Sequence, residues 1–168
     1  MDTIKEVERI RSYIDIALDK GAYEVLKIRT EDIFREPRTY LACMRCTHKG
    51  WVCPPNILKP WEFYPLLDRY SVHLLIHAPS DRISHEAALA VELQARRDGL
   101  YFAYALGNCH YLCDYRCRYL DGKQCSYPAM ARPSMQALGI DVVETVRALG
   151  LPLRIGTEED WYSLVMLE

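Results

Sequence analysis

Ser71-Val72-His73-Leu74-Leu75-Ile76-His77-Ala78 is an almost unbroken apolar run, closed by Pro79-Ser80. A run this short and this apolar reads as a strand buried on both faces, and so as a candidate for the centre of a sheet. His73 and His77 within it read as core or edge histidines with hydrogen-bond partners rather than as metal ligands. Asp81 or Ser84 can cap the helix that follows, which carries Ala87, Ala88, Val91, Leu93 and Ala95 to a stop at Gly99. Residues 100–106 read as a further strand. Strand, helix and strand in that order suggest a βαβ unit, so the expected fold class is α/β. We expect a single domain over residues 1–168, a mixed β-sheet with packed helices, and two cysteine-rich metal-binding loops.

Upstream, Ile4, Val7, Ile10, Ile14 and Leu18 recur at helical spacing over residues 3–20, and residues 22–29 read as a strand. Thr30, Glu31 and Asp32 can open a short helical turn that Pro37 ends. Between residues 37 and 60 the periodicity disappears and prolines accumulate, a long loop that needs something to hold it. Residues 61–70 suggest a short helix with Pro65 in its first turn. Downstream, Asp141 can begin a helix running to Gly150, and residues 153–155 and 161–167 suggest edge or closing strands.

The chain has 168 residues and a formal net charge of −2, the balance of a soluble globular protein, and nucleic acid is not the expected partner. Residues 1–20 show no signal-peptide pattern, and no apolar stretch approaches the ~20 residues of a membrane-spanning helix, so a cytoplasmic protein is expected. Seven cysteines in a reducing compartment argue against a disulfide framework, and an odd number would leave one unpaired. Metal or redox chemistry is the better reading.

All seven fall in two groups. The first is Cys43-x2-Cys46-x6-Cys53-Pro54-Pro55. Two cysteines two residues apart can turn their sulfurs to one centre, and thiolate is a soft ligand suited to zinc, copper(I) or iron-sulfur. The proline after Cys53 resembles ferredoxin loops and favours iron-sulfur. His48 could complete a zinc site of three thiolates and one imidazole. The second group is Cys109-x3-Cys113-x3-Cys117-x7-Cys125. In a straight α-helix Cys109 and Cys117 would start ~12 Å apart. The segment is therefore expected to turn, so that Cys109, Cys113, Cys117 and Cys125 converge, with His110 as an alternative ligand.

The stretch Cys43 to Pro55, the segment Ala103-Tyr104-Ala105-Leu106-Gly107-Asn108-Cys109, Cys125-Ser126-Tyr127-Pro128 and the tail from Ala131 to Val142 together resemble an uncharacterised family of predicted metal-binding proteins common in anaerobic bacteria and archaea. The resemblance implies a cysteine-ligated metal, iron-sulfur before zinc, held by Cys43, Cys46, Cys53, Cys109, Cys113, Cys117 and Cys125. It implies no reaction. The expected function is to hold one or two [4Fe-4S]-type clusters, in electron transfer with a redox partner protein or as an accessory redox subunit. The alternatives are a zinc-stabilised interaction module and a metalloenzyme with an open iron.

Overall fold

The computed structural model describes residues 2–154 and 157–168. In chain order its elements are α1 (Asp2–Asp19), β1 (Glu24–Ile28), α2 (Arg38–Met44), α3 (Pro60–Leu67), β2 (His73–Ala78), α4 (Asp81–Arg97), β3 (Tyr104–Leu106), α5 (Val142–Ala148) and β4 (Trp161–Met166), joined in places by short 3-10 turns. The run at 71–78 forms β2, and every one of its six residues is buried.

The strands stand in the order β1-β2-β4-β3, and each neighbouring pair is antiparallel. This corrects the expected mixed sheet. β2 and β3 do run in one direction across the α4 crossover, since His73 and Tyr104 both register with Met166, but β4 lies between them and opposes both. Residues 161–167 therefore supply an interior strand rather than an edge. Their apolar residues serve both faces: Val165 and Leu167 pack with α1 and α4, while Leu164 and Met166 pack with α3 and α5.

α1 and α4 thus cover one face of the sheet, and α3 and α5 the other. α1 buries Ile10, Tyr13 and Ala17, whereas Ile4, Val7 and Leu18 of the expected stripe stay exposed. The face is rotated because Tyr13 can enter the core with its hydroxyl satisfied, donating to Asp98 at 3.0 Å. The α4 cap is Ser80, one residue before Asp81, and its hydroxyl accepts from the Ile83 N–H at 3.2 Å. Asp141 caps α5 as expected, taking the Glu144 N–H at 3.0 Å.

Three further differences concern the ends of elements. Pro37 starts α2 instead of ending a turn, because proline is tolerated at a helix start, where its missing N–H has no intrahelical partner. Cys43 therefore sits on a helix. Residues 100–103 form a turn, leaving only Tyr104–Leu106 as strand. Leu153 and Arg154 lie in no strand, and Ile155 is outside the described residues.

Although β3 is an edge strand, it is covered. The Ala105 N–H donates to Glu92 at 2.8 Å and the Gly107 N–H to the Pro133 carbonyl at 3.0 Å. The chain leaves this edge directly into the second cysteine loop.

Candidate metal centre

The first cysteine loop is held largely by its own backbone. The Cys46 N–H donates to the Cys43 carbonyl at 3.1 Å, the Cys53 N–H to Gly50 at 3.2 Å and the Asn56 N–H to Cys53 at 2.9 Å. The Cys46 sulfur accepts the His48 N–H at 3.4 Å. These successive turns bring Cys43, Cys46 and Cys53 to one side.

The second loop turns, as its spacing requires. Residues His110–Cys113 and Arg118–Asp121 are short 3-10 turns, and between them Asp114 and Tyr115 adopt left-handed φ values of 50° and 61°. Two such non-glycine residues in succession are unfavourable unless held from outside. The turn and the segment before it are both tied to α4. Tyr115 donates its hydroxyl to Asp81 at 2.8 Å, and Tyr111 shares a hydrogen bond with the ring Nδ1 of His85 at 3.1 Å.

Entry and exit of this loop are fixed by buried contacts. At the entry, a Cβ on Gly107 would come within 2.7 Å of the His85 ring, so only glycine fits without displacing it. At the exit, Arg132 grips Glu92 of α4 through two hydrogen bonds of 2.9 and 2.6 Å and lies over the Tyr104 ring. Its guanidinium also donates to the carbonyls of Ala129 and Ala131 at 3.1 and 2.8 Å. A forked guanidinium suits such multidentate binding.

The two loops meet. The His110 Nε2 lies 3.7 Å from the Cys53 sulfur, and Tyr119 donates to the Asn56 side chain at 3.0 Å. A Cβ on Gly50 would be 3.3 Å from the Cys117 sulfur and 3.9 Å from that of Cys53, so this glycine lets the groups adjoin. Cys109, Cys113, Cys117 and Cys125 border one small cavity with Gly50 and Trp51. Cys43, Cys46 and Cys53 border a larger cleft, which Cys109 also reaches. All seven cysteines are free.

Burial and mutual proximity oppose ionisation of Cys43, Cys53, Cys109 and Cys113. Burial, then Cys53 and Cys46, pushes Cys43 up to about 11. Burial, then Cys53, pushes Cys109 up to about 12. Cys53 and Cys113 are raised in the same direction, again chiefly by burial. Thiols whose ionisation burial opposes are stabilised as thiolates by a soft cation, which displaces their protons. The donor chemistry therefore fits a thiolate-bound metal. Among the described residues, however, no three His, Cys, Asp or Glu side chains are drawn together closely enough to hold a metal ion.

Sequence reasoning missed Glu92, His85, Asp81 and Arg132 as supports. Glu92 carried a usable signal: it lies on the stripe of Ala88, Val91 and Ala95, and a carboxylate on an apolar stripe requires a buried cation. His73 and His77 are buried structural residues, with partners at Thr30 for the first and at Glu24 and Asp160 for the second.

The fold is a layered α/β domain with an antiparallel sheet, in which the cysteine loop that follows the edge strand β3 adjoins a second cysteine loop after α2. The chain belongs to the family described as predicted metal-binding proteins (DUF2284), whose model matches residues 26–167. Comparison with curated proteins and with solved structures gives no match. Among the described residues no helix is long and apolar enough to cross a membrane.

Proposed function

We propose that the chain holds iron-sulfur clusters on its two thiol groups, Cys109, Cys113, Cys117 and Cys125 forming one set and Cys43, Cys46 and Cys53 the other, and that it passes electrons to a redox partner protein. The observation that carries this reading is that seven free cysteines, six of them half-buried and Cys46 exposed, line two adjoining cavities although their loops lie about sixty residues apart in sequence. Separate turns supply the sulfurs, as a polynuclear cluster requires when it spreads its thiolates over several irons. The void among the second set is about 20 Å³, one water's worth, so a cluster there requires the half-buried turn at His110–Cys113 and the exposed turn at Arg118–Asp121 to move apart. Bound clusters supply one-electron redox chemistry. Arg45, Arg116 and Arg118 contribute positive charge near the sulfurs, which raises the reduction potential.

Purification without oxygen, followed by a visible spectrum and assays for iron, acid-labile sulfide and zinc, tests this. Iron and sulfide in near-equal amounts with a broad visible absorption are expected. Colourless protein with stoichiometric zinc would instead support the zinc-stabilised binding module.

The metalloenzyme reading has one specific observation in its favour. The three-cysteine set faces a cleft of about 610 Å³ rather than being enclosed by protein.

A further inference from the structure

That cleft is much larger than a metal requires. Its volume of about 610 Å³ equals on the order of twenty waters and lies within the usual range of small-molecule pockets. Much of its lining is apolar, with Val52, Met135, Val143 and Trp161 among it.

The charges along its inner wall are already engaged within the protein. Arg132 is held by Glu92, and Arg154 by Asp160 and Glu159. Asp81 accepts from Tyr115 and from the Arg82 N–H, and Asp160 also takes His77. Glu158 stands at the exposed rim. Among the described residues a charged ligand would find no free counter-charge inside.

Hydrogen-bond donors are what the cleft does offer. Ser84 of α4 and Ser163 of β4, 2 % and 1 % exposed, line it with their hydroxyl oxygens 2.6 Å apart. Two hydroxyls carry two protons, and the bond between them uses one. Among the described residues the other has no acceptor. Asn108, on the same cleft, accepts the His110 N–H at 3.2 Å through its carbonyl and keeps its amide N–H groups free among the described residues.

We propose that this cleft binds an uncharged, largely apolar small molecule bearing a carbonyl oxygen, which accepts from the Ser84–Ser163 pair and Asn108 while the body of the molecule lies against Val143 and Trp161. The proposal rests on the metal reading only in placing the ligand beside a metal; the binding itself uses no metal contact.

The test is a fluorine NMR titration of the anaerobically purified chain with 4-fluoroacetophenone, 4-fluoroethylbenzene and 4-fluorobenzoate. The ketone is expected to bind at least tenfold tighter than the hydrocarbon or the carboxylate. Ser84→Ala combined with Ser163→Ala should weaken the ketone about tenfold and leave the hydrocarbon unchanged, and Val143→Trp, which fills the cleft, should abolish both. No saturable binding of the ketone, tightest binding of the benzoate, or unchanged binding in Val143→Trp or in the serine double variant would overturn the proposal. Metal assayed on the same sample separates the two readings. Metal without ketone binding removes this proposal alone, and ketone binding without metal removes the metal reading alone.

Discussion

The Nε2 of His110 stands 3.7 Å from the Sγ of Cys53 although 57 residues separate them in sequence. Two ligands on one tetrahedral zinc, at ~2.3 Å for sulfur and ~2.05 Å for nitrogen, would be about 3.6 Å apart. The contact is therefore consistent with a shared metal and also with an N–H donated to a ligating sulfur. Burial, then the neighbouring His48, lowers the His110 pKa and favours the neutral ring.

In the cluster reading His110 donates to the Cys53 thiolate. His110→Ala should then keep its iron and lower the one-electron reduction potential by roughly 40 mV, the equivalent of one hydrogen bond of roughly 1 kcal/mol. Redox titration followed in the visible band measures this. Loss of iron from the variant would make His110 a ligand.

In the cluster reading Cys53→Ser and Cys117→Ser act on different sets. Each alone should remove roughly half of the iron and sulfide, because each disables one centre and leaves the other its own thiolates. If either single change emptied the protein completely, the seven thiols would have to serve one shared centre.

Arg132 and Glu92 form a buried pair with side chains only 10 % and 5 % exposed. Arg132→Met leaves the Glu92 carboxylate buried without its guanidinium and should cost about 3–5 kcal/mol in urea unfolding. Removing both charges, as Arg132→Met with Glu92→Met, should cost less than the single change. A double variant weaker than either single one would show that the pair stabilises by more than mutual neutralisation.

A separate pH dependence resides in His73. Thr30 gives its only hydroxyl proton to the Tyr70 carbonyl, so the His73 Nε2, 2.9 Å from the Thr30 oxygen, must carry the ring proton. Nδ1 is then a buried acceptor without a partner among the described residues. Burial pulls the folded pKa from 6.5 down to about 4. Between these values the unfolded chain binds a proton that the folded chain does not. Stability from this group is complete above 6.5, falls as pH drops through that window, and levels off below about 4, a loss of up to roughly 3 kcal/mol. Urea midpoints at pH 7.5, 5.5 and 4.5 should show this fall, and His73→Leu should make it shallower, leaving the share of His85, which burial likewise pulls down to about 4. An identical slope in the variant would assign the dependence elsewhere.

Much of the scaffold is legible in the sequence because its signals are local. The apolar run at 71–78, the helix after Pro79 and the cap at Asp141 each follow from a few adjacent residues. Strand order is not local. Nothing near Trp161 says that β4 will lie between β2 and β3, since that is decided by which apolar faces both layers of helices must cover. α2 was hidden by Pro37, which a helix start accepts as readily as a turn. The cysteines declared themselves by crowding. Their supports did not, because Glu92 meets Arg132 across 40 residues and the Tyr115 to Asp81 contact spans 34. Asn108 and the Ser84–Ser163 pair looked unremarkable in sequence for the same reason, as a cleft wall assembled from α4, β4 and a loop has no linear signature.

Native mass spectrometry of the anaerobically purified chain tests the central claim most directly, because it weighs whatever the thiols hold. The expected spectrum carries mass above the bare chain that matches iron and sulfide in cluster ratio, and that mass disappears when the cysteines of both sets are replaced by serine. A spectrum of the bare chain, or of the chain with zinc alone, would contradict the claim.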